Sequence, residues 1–247
     1  MTAALASLGA IVLLASLVWD ERRSGWSLWF FFAAAVWHAV TTGQVLGSSF
    51  EAAMLLVIGL VGVARGYAAR PRWRTWVRYA YATALFFALL SLRFVGTTSG
   101  PLPWSLVVFH AGVLTLAYVS LTVAFLAAVA GWAQHRRLKS APWRSLSAPP
   151  LVGLARLEGP YLRAGYVLYT VGVLTGMAWA WRLWGSPVAP DVKELATLLT
   201  WALFTLLLLE HRPGRTSGGR VLLWWAAYAA LVFVFYVAPY WGGRHPV

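Results

Sequence analysis

Cysteine is absent from this 247-residue chain. That removes a disulfide framework, a thiolate metal site and any thiol-relay chemistry, and so excludes a thiol–disulfide membrane transporter. Charge is scarce too: Asp, Glu, Lys and Arg together make up 11% of the residues, and only seven of them are acidic. No two carboxylates face each other within an apolar run, which argues against an ion-driven pump. Neither a phosphate-binding glycine loop nor a His-Glu-x-x-His metal motif occurs.

What remains is apolar. Hydrophobic residues make up 60% of the chain and tryptophans number 16, far from the composition of a soluble domain. Apolar runs of about 17 to 25 residues, each long enough to cross a bilayer, recur throughout. They predict an all-α integral membrane protein forming one domain, residues 1–247, with about eight transmembrane helices. The expected spans are 2–19, 26–44, 51–68, 76–95, 104–133, 161–184, 194–211 and 220–238. Net charge is +13, but Arg and Lys sit in short clusters between apolar runs, which argues for a lipid bilayer as partner and no nucleic acid.

Sixteen of the 20 basic residues fall in the connectors after the first, third, fifth and seventh spans. The positive-inside rule makes that side cytoplasmic, so both termini face outward. An even number of spans agrees with this. The first span carries its basic residues, Arg22 and Arg23, after the apolar run, which suits a retained helix and not a signal peptide. The fifth is too long for the hydrocarbon layer, and Ala133 to Lys139 are expected to project into the cytoplasm. Ser140 to Pro160, with four prolines, reads as an irregular cytoplasmic loop. Gly-x-x-x-Gly occurs at Gly62–Gly66 and Gly172–Gly176, a spacing that permits close helix contact.

The densest signal is Gly176 to Glu194, GMAWAWRLWGSPVAPDVKE. Tryptophans close the sixth span, Pro187 and Pro190 stop the helix, and Asp191 with Glu194 three residues later opens the next as a capping-box-like start. Aromatic rings beside a Gly-Pro loop form a flat apolar surface on which a planar hydrophobic ligand could lie. Asp191 and Glu194 are read both as helix caps and as site residues, and Trp181 is read as an interfacial anchor.

The order Gly-x-x-Trp-Ala, Trp-Gly, Asp-x-Lys-Glu resembles the tryptophan-rich signature of the CcsA/ResC family of heme-handling membrane proteins in system II cytochrome c biogenesis. Trp184, Gly185, Asp191, Lys193 and Glu194 fall in register with that signature, as does Trp179 before it. Val188 and Pro190 stand at its two inner tryptophans and Val192 at its proline. The turn Gly43 to Glu51 resembles the family's outer loop before the third span, with Gln44 where a histidine often stands. The resemblance runs from about Gly43 to His245.

Histidine is the natural axial donor to heme iron in a chain without cysteine. An imidazole inside a membrane helix is a site hypothesis by default, its alternative being a hydrogen-bonded core histidine. His110, in the fifth span, resembles the family's first periplasmic heme-ligand histidine. His245, near the C-terminus after Gly242-Gly243, matches the second by position, with a solvated tail as the other reading. The family's membrane histidine falls on Leu209; His211 and His135 lie beside arginines and read as interfacial cations. His38, in the second span, is the remaining intramembrane candidate for an inner heme or partner contact.

The resemblance therefore implies a protein that binds heme b as cargo at its outer face. His110 and His245 would be axial ligands, Trp179, Trp184 and Gly185 would lie beside the ring, and Asp191, Lys193 and Glu194 would be in the loop. Apocytochrome c and a ResB/CcsB-like membrane subunit would be partners in a heme-attachment complex in the plasma (inner) membrane. The second reading is the HemX/YpjD-type branch, a non-catalytic accessory or regulatory subunit in heme biosynthesis or assembly. A heme or small-molecule transporter is a third, disfavoured by the absence of charge-lined spans. For the topology, alkaline phosphatase fused after Trp184 should be active and fused after Arg144 inactive; the reverse pattern would overturn the orientation.

Overall fold

The structure is a computed structural model that describes residues 1–18, 24–43, 48–95, 104–140, 149–188, 191–210 and 218–241. Among these residues the chain is all-helical. Eight α-helices follow in order: α1 (Thr2–Val18), α2 (Ser24–Thr42), α3 (Ser49–Ala68), α4 (Arg74–Ser91), α5 (Trp104–Ser140), α6 (Leu151–Trp184), α7 (Val192–Leu209) and α8 (Gly218–Tyr236). Five helical segments, Ser49–Ala68, Pro71–Phe94, Val108–Ser140, Val192–Leu209 and Gly218–Tyr236, are long and apolar enough to cross a membrane. The other three helices are α1, with 17 residues, α2, diluted by Ser, Thr and His38, and α6, interrupted by Arg156, Glu158 and Arg163.

Local chemistry explains where several helices start and stop. Ser48 caps α3, its hydroxyl accepting the Glu51 backbone N–H at 3.3 Å. Asp191 caps α7 in the same way, accepting from Glu194 N at 2.8 Å. Both are acid-at-third-position starts, which satisfy one otherwise orphaned donor. Between α3 and α4 the chain turns through Pro71–Trp73, proline occupying the first position of that short 3-10 turn.

The helices form two compact units, Met1–Leu102 with Arg136–Pro150, and Pro103–His135 with Leu151–Val247. In the first, α1 packs on α2 and α4, and α3 on α2 and α4. Phe31, Phe50, Met54, Leu60, Trp76 and Tyr81 are fully buried there. Gly9 lets α1 close on α2: a Cβ at this position would lie 2.7 Å from Phe31 Cε1.

In the second unit, large side chains of α5 press into a glycine face of α6. Gly165 receives Leu121, Gly172 receives Leu114 and Gly176 receives His110. The partners run in opposite directions by equal steps, as antiparallel helices require, and Gly131 meets Leu154 further along. Of the two Gly-x-x-x-Gly pairs, Gly172–Gly176 is thus a packing face, whereas Cβ atoms at Gly62 and Gly66 would meet nothing within 4 Å.

The expected irregular loop from Ser140 to Pro160 is corrected in its second half: α6 begins at Leu151 and carries Pro160 inside it. Residues 141–148 of that loop lie outside the described residues. Proline removes one helical hydrogen bond, but Leu154 and Leu157, one turn apart, are buried together with Gly159 and Leu162, so tertiary packing holds the helix through the proline. At the other end of the same connector, α5 runs on to Ser140 with Arg136, Arg137 and Lys139 exposed.

This early turn of α6 also supplies Glu158. Its Oε1 accepts from the Arg220 guanidinium and, at 3.2 Å, from the Trp224 indole N–H of α8. Arg220 also donates to the Glu210 carbonyl, 3.5 Å away at the end of α7, so one guanidinium joins three helices. Burial pushes the Glu158 carboxyl above its ordinary range while Arg220 and Trp224 pull it back. Glu158→Ala would leave Arg220, 7% exposed, buried without this partner. A loss of about 3 kcal/mol is expected. Thermal unfolding in detergent checks it, and Glu158→Gln, which keeps an acceptor, should lose less.

Candidate functional site

His110 lies on α5 against α6. Its Nδ1 is 3.2 Å from the Thr175 hydroxyl oxygen, and the ring covers Gly176, where a Cβ would stand 2.9 Å from Cε1. The Thr175 hydroxyl donates to its own helix, with the Val171 and Gly172 carbonyls each at 2.9 Å. With its proton committed there, the oxygen can only accept from His110, which puts the imidazole proton on Nδ1 and leaves Nε2 as a bare lone pair. Thr175 orients the ring as an outer-shell partner orients a ligating histidine.

Trp179 follows Thr175 and Gly176 by four and three residues, so it shares their face one turn along α6 and is half-buried. Trp181, 65% exposed, points away from that face, which suits the anchor reading. The helix ends at Trp184. Gly185 then takes the left-handed conformation at φ 68° and donates to the Trp181 carbonyl at 2.9 Å, a C-terminal cap open to glycine. Ser186 donates to the Val188 carbonyl at 2.6 Å and tightens the turn.

Across the turn, α7 starts with Asp191, Lys193 and Glu194. The Lys193 ammonium is close enough to the His110 ring to act on it electrostatically, and Asp191 and Glu194 act on Lys193. His110, Lys193, Asp191 and Glu194 are therefore brought to one end of this unit, together with the α6 tryptophans. The cap reading of Asp191 is seen directly in its bond to Glu194 N.

Polar bonds hold α7 against α6 beneath this end. The Trp201 indole donates to the Thr170 hydroxyl at 3.0 Å, and Tyr166 and Thr205 join their hydroxyls at 3.0 Å. The Tyr169 hydroxyl donates to the Thr197 carbonyl at 3.4 Å. In an apolar solvent such bonds satisfy polar groups that lipid cannot.

His38 belongs to the other unit. It is buried, and its Nδ1 is 2.9 Å from Glu51 Oε1 and 3.4 Å from Ser48 Oγ, so it is a satisfied histidine at that nitrogen. His135 is half-buried next to exposed Arg136 and Arg137. His211, His245, Gln44 and Pro190 lie outside the described residues. Sequence reasoning missed Thr175, the Gly176 cradle and Glu51. Glu51 carried a signal, an acid beside an apolar run, but pairs were sought among carboxylates alone.

The family described as Cytochrome C assembly protein matches this chain over residues 26–238. An uncharacterized 28.8 kDa protein of Azospirillum brasilense is 26% identical over 82% of this chain and 74% of its own length. The cytochrome c-type biogenesis protein ccl1 of Rhodobacter capsulatus is 29% identical over 77% of this chain and 26% of its own length. The cytochrome c biogenesis protein CcsA of Thermosynechococcus vestitus is 29% identical over 54% of each chain. The chain thus spans about a quarter and about half of these two named relatives. No solved structure matches it.

Two glycines separate packing from backbone strain. Gly176→Ala should displace the His110 ring and cost about 1–3 kcal/mol by overpacking, whereas Gly185→Ala should cost about 1 kcal/mol through its positive φ alone. Thermal unfolding reads both losses, and only the first should alter the His110 resonances in a 15N-histidine NMR spectrum.

Proposed function

The chain belongs to the cytochrome c assembly protein family, and from that membership we propose that it binds heme b as cargo at the outer face of the membrane and presents it to an apocytochrome c. Membership itself carries a role in cytochrome c biogenesis. The finer reading rests on His110: a half-buried imidazole with Nδ1 tied to Thr175, Nε2 bare, and a glycine beneath it where any larger residue would collide. A porphyrin brings four of its iron's donors with it, so one such nitrogen makes a contact without a cluster of protein ligands.

On this reading His110 and His245 are the axial donors, and Trp179 and Trp184 lie beside the ring with Gly185 closing the helix under them. Lys193, set between Asp191 and Glu194, faces the anionic propionates. His38 is an inner contact. The eight helices are eight spans of one domain in the plasma membrane with both termini outside, and a ResB/CcsB-like subunit is the membrane partner. The protein supplies orientation and ligands, while the heme vinyl groups and the partner's thiols supply the reactive bonds.

A second reading, an accessory subunit of the HemX/YpjD type, is favoured by one observation. The chain covers 74% of the uncharacterized Azospirillum protein but much less of the two named biogenesis proteins. Purification from heme-replete cells separates the two. Bound heme, identified as heme b by its pyridine hemochrome, with a Soret band altered in both His110→Ala and His245→Ala, supports heme presentation. A colourless wild type sinks that reading and leaves the accessory one. Thr175→Val should weaken heme binding about tenfold, as loss of an outer-shell partner does.

A further inference from the structure

We propose that Glu51 is a positioning residue: it holds His38 in the tautomer that leaves Nε2 bare, making His38 a second heme-iron contact apart from His110. The second clause rests on the heme-handling reading; the first does not.

His38 on α2 and Glu51 on α3 are each 3% exposed, with 2.9 Å between Nδ1 and Oε1. An ionised carboxylate can only accept, so the imidazole proton sits on Nδ1 and points at Glu51. Ser48 Oγ, 3.4 Å from the same nitrogen, already accepts the Glu51 N–H and is the weaker neighbour. Phe50 packs on the ring with centroids 4.9 Å apart. Three residues of one helix start therefore hold the ring, and the described hydrogen bonds all fall on Nδ1.

The choice of a carboxyl is the informative part. Its second oxygen, Oε2, is buried with no hydrogen-bond partner among the described residues. A buried carboxylate left half unsatisfied is costly, and a helix-to-helix tie alone would be served by a neutral amide at less cost. What a carboxylate adds is electronic: donated N–H density makes the opposite nitrogen a stronger base and ligand. An isolated metal ion would need several protein donors, and no group of three His, Asp or Glu exists among the described residues. A macrocycle that brings four nitrogens needs only one more.

The test uses the full-length protein purified from heme-replete cells in a His110→Ala background, with Glu51→Gln, Glu51→Ala and His38→Ala added singly. We expect residual heme whose midpoint potential moves positive in Glu51→Gln, whose affinity falls tenfold or more in Glu51→Ala, and which is lost in His38→Ala. Residual heme unchanged by His38→Ala, or no residual heme where the wild type binds it, overturns the second contact. Potential and affinity unmoved by both Glu51 variants overturn the positioning role. The isosteric Glu51→Gln guards against simple unfolding. If the wild type itself binds no heme, the heme-handling reading fails, and 15N NMR of the heme-free protein decides the Glu51 role. His38 protonated at Nδ1 in wild type and shifted toward Nε2 in Glu51→Ala supports it; the same tautomer in both overturns it.

Discussion

The close approach of α5 to α6 is the constraint on which the second unit depends. Between apolar helices in lipid there is little hydrophobic gain from association, so contact comes from van der Waals fit and a few hydrogen bonds. Gly165, Gly172 and Gly176 make the fit possible by leaving room for Leu121, Leu114 and His110. Because His110 is one of these inserted side chains, the packing face and the candidate site are the same structure. The ring is placed by the backbone beneath it and by Thr175 beside it, not by a mobile loop.

The same economy governs the polar groups. Trp201 with Thr170, Tyr166 with Thr205, and Tyr228 with Thr122 at 3.2 Å each join two helices by satisfying donors that lipid would leave bare. Arg220 does so for three helices through Glu158 and the Glu210 carbonyl. His110 and His38 fit this pattern at Nδ1, each tied to a neighbouring helix, so in both the remaining nitrogen is the chemically available one. The ties differ in kind: a neutral hydroxyl for His110, a carboxyl for His38.

Much of the local architecture was legible beforehand. Ser48 to Glu51 and Asp191 to Glu194 carry cap spacing in the sequence itself, and both helices start there. Trp184-Gly185 marked a helix end that the structure closes with a left-handed glycine. Pro160 misled, because a proline's local cost is plain in the sequence whereas the burial of Leu154 and Leu157 that outweighs it is not. The two Gly-x-x-x-Gly pairs are indistinguishable as text, and only one receives side chains from a neighbour.

Apolar run length, charge placement, cap spacing and the Trp-rich order are short-range properties, so the sequence alone determined an all-helical apolar chain, most helix limits and family membership. Tertiary structure decided which side chains meet. Thr175 reaches His110 across 65 residues and Glu51 reaches His38 across 13. Those separations have no period to read, because the partner is chosen by which helix faces turn toward each other. The state of each imidazole follows from that partner alone.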